Sequence, residues 1–249
     1  MPVHEVEAAE AQAAAAWGTE KRAYVQRMFS QIAPRYDLLN HLLSFNVDRR
    51  WRRRALKALQ WTRRPEGLYL DLCAGTLDVA AQLAQTAGFR GRVLGADFAE
   101  PMLRAGTGKA PVAIVRPVVA DALDLPLADR SVSGAVVAFG IRNLADLDAG
   151  LREVHRVLEP DARFVILEFT TPRVGLVRAG YHAYFHHVLP FIGGVISGHR
   201  TAYRYLPQSV ANFPAPQALA ERMVRAGFRE ATWTSLTFGI AAIHVGVKG

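Results

Sequence analysis

The chain has a single cysteine, Cys73, among 249 residues. No internal disulfide can form, so the fold must rest on a packed core, as suits a reducing cytoplasm. No apolar run reaches the roughly 20 residues that a membrane-spanning helix needs. The N-terminus carries Glu5, Glu7 and Glu10 where a secretory signal would have basic residues. Residues 1–18 read as a flexible tail. Acid is absent from Arg49 to Arg64, where eight side chains are basic, enough to account for the whole net charge of +8. Such a patch can face nucleic acid, anionic lipid or an acidic partner, or be an ordinary solvated helix face. Few aromatics stand beside it, only Trp51 and Trp61, which argues against a stacking platform for single-stranded nucleic acid.

What is present begins at Tyr69 to Ala84, YLDLCAGTLDVAAQLA. It reads as a buried strand, a turn at Cys73 to Thr76 and a helix opening near Asp78. Gly75 allows close backbone approach, and free N–H groups at a helix start can bind an anion. Upstream, Thr19 can cap a helix carrying Val25, Met28, Phe29 and Ile32 at helical spacing, which Pro34 ends. A second helix runs from about Asp48 to Leu59, so residues 19–64 form a helical cap. Downstream come strands at Arg92–Asp97, Val112–Val119, Val132–Phe139 and Phe164–Phe169. Helices starting at Pro101 and running from Leu147 to about Leu158 separate them. This alternation predicts a mostly parallel sheet covered on both faces. From Thr170 to Pro207 it stops, and the segment reads as a lid of short helices. A helix at Gln217–Ala226 and two strands, Glu230–Ser235 and Ile240–Val247, follow. The two strands should pair as antiparallel neighbours at the sheet edge. The whole of 19–249 reads as one α/β domain.

Ligands in such folds bind outside the carboxyl ends of the strands. Asp71, Asp97, Asp121, Arg142 and Glu168 all fall there. A dinucleotide fold would carry G-x-G-x-x-G after its first strand. Here the turn has one glycine between Asp71 and Asp78, and acids there repel a pyrophosphate but suit an ammonium and a sulfonium. Asp97 is placed for ribose hydroxyls, and Asp121 with the Ala122 backbone for an adenine amino group. S-adenosylmethionine fits that set better than NAD. His182, His186 and His187 could share a helix face, but no carboxylate or cysteine lies near them, and no metal is expected.

Several longer stretches carry a resemblance: FSQIAPRYDLLNHLLSFNVDRRW, VAFGIRNLADLDAGLREVHRVL, YRYLPQSVANFP and LTFGIAAIHVGVK. From about Tyr24 to Lys248 the chain resembles the quinone-ring C-methyltransferases, the demethylmenaquinone methyltransferase and polyprenyl-methoxybenzoquinol methylase family. The resemblance implies a Rossmann-like class I methyltransferase sheet of seven strands. It also implies S-adenosylmethionine bound by Thr76, Asp97, Asp121 and Ala122. With them we group Tyr36, Asp71, Gly75 and Phe98 as cofactor-binding candidates. The chain departs from the family pattern in three places. Leu77 replaces the second glycine of Gly-Thr-Gly-Asp, Glu159-Pro160-Asp161-Ala162 replaces a lysine-to-glycine turn, and Asn46 and Asp48 replace a glycine and a histidine.

The implied reaction is displacement at a sulfonium by a ring carbon. A quinol made anionic pushes electron density onto that carbon, so a cation near the oxygen should help. Arg142 is the first candidate to stabilise the quinolate and Asn143 to orient a hydroxyl or water; the alternative for Arg142 is pairing with Asp146. The proton acceptor is water, an Asp or His199. Tyr36 and Tyr203 can line the ring or methionine ends, or simply pack. The family serves demethylmenaquinol and, alternatively, the benzoquinol of ubiquinone biosynthesis; the former is the expected acceptor. A nucleic-acid methyltransferase is disfavoured because GIRN stands where an Asn/Asp-Pro-Pro-aromatic run would be, so no nucleic acid is expected. A non-enzymatic binding protein on the same fold is the other alternative. The expected partners are a polyprenylated quinol whose tail the lid would house, an anionic membrane surface under the basic helix, and a second copy in a homodimer. The expected location is the cytoplasm, at the inner face of the membrane.

Overall fold

In a computed structural model, the fold is described for residues 19–37, 46–172, 175, 178–180 and 200–249. The first helix, α1 (Thr19–Ile32), ends one residue before a 3-10 turn at Ala33–Arg35. Then come α2 (Val47–Leu59), β1 (Leu68–Leu72), α3 (Asp78–Ala84), β2 (Arg92–Asp97) and α4 (Glu100–Ala105). They are followed by β3 (Val115–Val119), β4 (Val132–Ala138), a 3-10 turn at Ile141–Asn143, α5 (Leu147–Val157) and β5 (Leu158–Phe169). The chain closes with α6 (Arg200–Ala211), α7 (Pro216–Arg225), β6 (Phe228–Leu236) and β7 (Ala241–Lys248). The expected tail at 1–18 and most of the expected lid lie outside the described residues.

The seven strands form one sheet in the order β3-β2-β1-β4-β5-β7-β6. The first five pair in parallel, and β7 lies antiparallel to both β5 and β6. Nothing in the sequence orders the last two strands, but their chemistry explains the outcome. All but one residue of AAIHVGVK are buried, as an internal strand requires, whereas FREATWTSL exposes polar side chains along the edge. Strand β3 starts three residues later than its apolar run suggests, because the amides of Ile114 and Val115 bond Pro111 O in a turn.

Both faces of the sheet are covered. Leu70, Leu72, Val137, Phe164 and Ile166 pack under α5 and α7 through Leu151, Val154, Leu219 and Met223. Tyr69, Val136, Val165 and Leu167 pack on the other side against Trp51, Leu56 and Leu59 of α2 and Ala80 and Leu83 of α3. Helix α1 does neither: its Val25, Met28 and Ile32 pack with Tyr205 of α6, Tyr36 and Phe98. The register sets Leu72 beside Ala96 and Val137, so the strands exit level with one another and their following loops form a common rim.

His244 in β7 is fully buried, and its Nε2 lies 3.0 Å from Pro216 O. A carbonyl only accepts, so Nε2 carries the proton, and burial pushes the imidazolium pKa down to about 4. The unfolded chain therefore takes up a proton near pH 6.5 that the folded chain refuses until about pH 4, and this term erodes stability as pH falls between the two. His244→Gln keeps a donor for Pro216 and removes the titration. Between pH 7 and pH 5 the urea-derived stability of the wild type should fall about 2 kcal/mol further than that of the variant.

Candidate active site

The rim of loops encloses an open cleft at the carboxyl ends of β1 to β4, about 700 Å³ of empty space counted out into open solvent. Its floor is the turn after β1. Cys73, Gly75 and Leu77 all take left-handed φ angles, 51°, 53° and 63°. At Gly75 the conformation suits glycine, and a Cβ there would come 3.3 Å from Met102 Cε under the cleft wall. The turn is tied to β2 twice: the Ala74 amide bonds Ala96 O at 3.0 Å, and the Gly75 amide bonds Asp97 Oδ2 at 2.8 Å. Asp97 Oδ1 takes the Ala99 amide at 2.9 Å. Burial raises the Asp97 pKa, and these backbone donors pull against it. A ligand hydroxyl or a positive charge would relieve the same cost.

The remaining lining mixes chemistries. Asp121 caps its own loop through Leu123 N at 3.0 Å and meets Arg22 of α1 at 3.0 Å, with Ala122 alongside. Phe29, Tyr36, Phe98, Phe139 and Leu144 supply apolar surface, and Asn143 adds an amide. Tyr36 stands edge-on to Phe29, ring centroids 5.9 Å apart.

Thus Tyr36, Gly75, Asp97, Phe98, Asp121, Ala122 and Asn143 are brought to one cleft, while Asp71, Thr76 and Arg142 are not among its lining residues. Asp71 shares the Tyr69 side of β1, and its Oδ2 takes the Ala80 amide of α3 at 2.9 Å. Burial lifts its pKa to about 7. Thr76 is buried, its hydroxyl bonded to Asp37. Asp37 also pairs with Lys109, which meets Asp78 at 2.6 Å, and Asp78 in turn meets Arg52 at 2.7 Å. This chain of charges clamps the turn after α1, the start of α3 and the inner face of α2 together.

Arg142 is 7% exposed and Glu168 0%, and they pair at 2.7 Å. The Arg142 guanidinium also bonds Phe139 O and Ser209 Oγ, and lies 5.7 Å from the Phe169 ring centroid. Asp146, the partner considered from sequence, instead caps α5 by accepting the Ala149 amide at 2.9 Å. Two neighbours were not singled out from sequence. Lys21 is buried and donates to Arg142 O at 2.7 Å, its pKa pushed down to about 8 by burial and by the Arg142 charge. It sits four residues before Val25 on the apolar stripe of α1, a position where a lysine is conspicuous. Tyr205 OH donates to Asn143 Oδ1 at 3.1 Å, and burial raises its pKa, so it stays a donor. His199 lies outside the described residues, as do Tyr203's side chain and His182, His186 and His187.

The family profile of the ubiE/COQ5 methyltransferases matches residues 18–248. The chain belongs to that family. It is 52% identical to the demethylmenaquinone methyltransferase of Thermus thermophilus over 88% of this chain and 99% of that one. It is 44% identical to the ubiquinone/menaquinone biosynthesis C-methyltransferase UbiE of Geotalea uraniireducens over 92% and 98%. Among solved structures, a methyltransferase in complex with the Haloferax volcanii Trm112 activator superposes with a TM-score of 0.61 at 18% identity, covering 87% of this chain and 96% of that one. The seven-stranded methyltransferase fold is therefore common ground well beyond close relatives.

The family departure at Leu77 has a structural account. Its left-handed backbone costs about 1 kcal/mol that glycine would avoid. Its side chain, however, is buried against β2 and α4, where Gly95 and Gly106 leave room: a Cβ at Gly95 would come 2.3 Å from Leu77 Cδ2. Burying a leucine stabilises by about 1.5–3 kcal/mol, so burial wins. Leu77→Gly should lower stability by about 1–2 kcal/mol by urea titration and leave ligand affinity within about twofold. Arg142→Ala should destabilise by about 3–5 kcal/mol because it strands the Glu168 charge, and Arg142→Ala with Glu168→Gln should recover much of that loss.

Proposed function

We propose that this protein C-methylates the ring of a polyprenylated quinol with S-adenosylmethionine, and that demethylmenaquinol is the acceptor. The carrying observation is that one cleft brings the Gly75 turn, Asp97 and Asp121 together with an aromatic lining and the Asn143 amide. The residues fit the cofactor: Gly75 gives close approach, Asp97 suits the ribose hydroxyls, and Asp121 with Ala122 suits the adenine amino group. When bound, S-adenosylmethionine would supply a methyl group on a sulfonium, which carboxylates favour over water alone. Tyr36 and Phe98 would close over the cofactor. Asp71 and Thr76 would act from beneath, shaping the turn.

For the acceptor, Asn143 is the group that reaches the cleft. With Oδ1 engaged by Tyr205, its amide N–H groups are what it offers a quinol oxygen, and a donor there favours the quinolate. Arg142 then serves as a positioning residue, since its guanidinium is committed to Glu168. Asn143 would hold the quinolate oxygen while the neighbouring ring carbon takes the methyl, and that carbon would then release its hydrogen as a proton. Water, an Asp or His199 takes the hydroxyl proton.

The lid at 170–207 would house the tail. Among the described residues no helix is long and apolar enough to cross a membrane. We read the chain as cytoplasmic and peripheral, with the outward face of α2 against anionic lipid. On that face Arg49, Arg50, Arg53, Arg54 and Lys57 are exposed, while Asp48 and Arg52 turn inward and pair. The 19–249 span would act as one catalytic domain.

The decisive experiment incubates the protein with S-adenosylmethionine and either demethylmenaquinol or the benzoquinol, and follows a gain of one methyl by mass spectrometry. Methylated naphthoquinol is the expected product; methylation of the benzoquinol alone moves the acceptor to ubiquinone biosynthesis, and no product with either sinks the reading. Within that assay Asn143→Ala should lower kcat about 10²-fold. Tyr205→Phe should lower it about tenfold with S-adenosylmethionine affinity unchanged.

A further inference from the structure

The turn joining β6 to β7 combines two features that a passive loop would avoid. Thr237, Phe238 and Gly239 all take left-handed φ angles, 45°, 56° and 87°, although only one of them is glycine. Phe238 is 77% exposed, more than any other large apolar side chain among the described residues. A bare apolar side chain on a surface is ordinary by itself. One held outward on a backbone that disfavours any side chain calls for a cause.

The turn is also pinned. Thr237 Oγ1 accepts from Trp51 Nε1 of α2 at 3.0 Å. Gly239 O accepts from Thr170 Oγ1 at 2.6 Å, and Ile240 O from the Thr170 amide at 2.9 Å. Phe238 is therefore presented from a fixed place. That place is the end of the sheet where the cleft opens, since Ala241 pairs with Phe169 at the exit of β5. It also adjoins the first turns of α2, whose outward face is wholly cationic. An aromatic tip beside a band of cations matches a bilayer interface, where acyl chains take the ring and anionic headgroups take the charges.

We propose that Phe238 is the inserting anchor of a surface that docks on anionic bilayers together with the outward face of α2. This holds the exit of β5, and so the rim of the cleft beside it, close to the membrane that holds a polyprenylated quinol. The proposal rests on the reading of α2 as lipid-facing and adds the anchor and the placement of the rim.

The test uses the full chain with vesicles of phosphatidylcholine alone or mixed with phosphatidylglycerol. Wild type should sediment with the mixed vesicles. Phe238→Gly should bind them about tenfold more weakly, the loss expected for one aromatic ring. Its Tm should match or exceed that of wild type, because glycine is at ease at this φ, and its turnover of a short-tailed soluble quinol should be unchanged. Phe238→Trp should gain an emission component quenched by brominated acyl chains. Arg53→Glu with Arg54→Glu should weaken binding separately. If Phe238→Gly binds within twofold of wild type, or the new tryptophan is not quenched, the anchor is wrong; the lipid reading of α2 survives only if charge reversal still weakens binding. Wild type that binds neither vesicle, as a surface built for an acidic protein would not, overturns both.

Discussion

The buried pair of Arg142 and Glu168 is the constraint on which the Asn143 wall of the cleft depends. A carboxylate with no exposure to water is costly unless a cation and donors surround it, and burial does raise the Glu168 pKa against the pull of Arg142. Meeting that demand commits more than one residue. Arg142 must sit where its guanidinium reaches Glu168, Phe139 O and Ser209 at once, which fixes the exit of β4 against β5 and α6. Its own carbonyl then takes Lys21, which fixes α1. Asn143 is the next residue along, so its place in the cleft wall is inherited from a charge pair that does not face the cleft.

The Gly75 side of the cleft is held by the opposite means, a strained backbone in place of buried charge. Alternate left-handed residues after β1 turn the chain sharply enough for the Gly75 amide to meet Asp97, and the conformational cost is met locally. Gly75 avoids it, and Leu77 offsets it by filling the hollow over Gly95 and Gly106. The clamp from Thr76 through Asp37, Lys109 and Asp78 to Arg52 then joins this turn to the helices on either side. Rigidity on both sides matters for methyl transfer, which has no covalent enzyme intermediate and rests on alignment of two bound partners.

The fold was legible because its central strands are buried on both faces and so read as continuous apolar runs, VSGAVVAF above all. The structure differs at an edge, where turn hydrogen bonds to Pro111 delay the start of β3. At the site, nearness to a strand end was legible but depth below the rim was not. Asp97 closes β2, whereas Asp71 stands one residue before the end of β1 and pairs with Gly95, so the two carboxylates share a sheet face: Asp71 lies deeper and bonds Ala80 of α3, and Asp97 lies nearer the rim and bonds the Gly75 turn. A strand rises about 3.3 Å per residue, and nothing in a continuous apolar run marks how far below the rim an acid sits. Arg142 was hidden for a related reason: its partner is 26 residues away on the neighbouring strand. Lys21 did leave a signal, a cation on an apolar helical stripe.

The net charge of +8 conceals two opposite local fields. Six cations stand on α2, while among the described residues the charged groups lining the cleft are Asp97, Asp121 and their counter-charge Arg22. These opposite fields coexist because of distance. Helix α2 has 13 residues, about 20 Å of axis at 1.5 Å per residue, and Trp51 near its start packs on Phe139 and Phe169 while the Ala58 carbonyl near its end accepts from Arg163, halfway back along β5. In physiological salt the field of a surface charge falls off over about 8 Å, so most of the basic face cannot neutralise the carboxylates at the rim. The one α2 cation turned inward, Arg52, is already matched by Asp48 and Asp78. A cationic ligand entering the cleft therefore meets carboxylates, while an anionic surface beneath α2 meets arginine, and neither attraction is spent on the other.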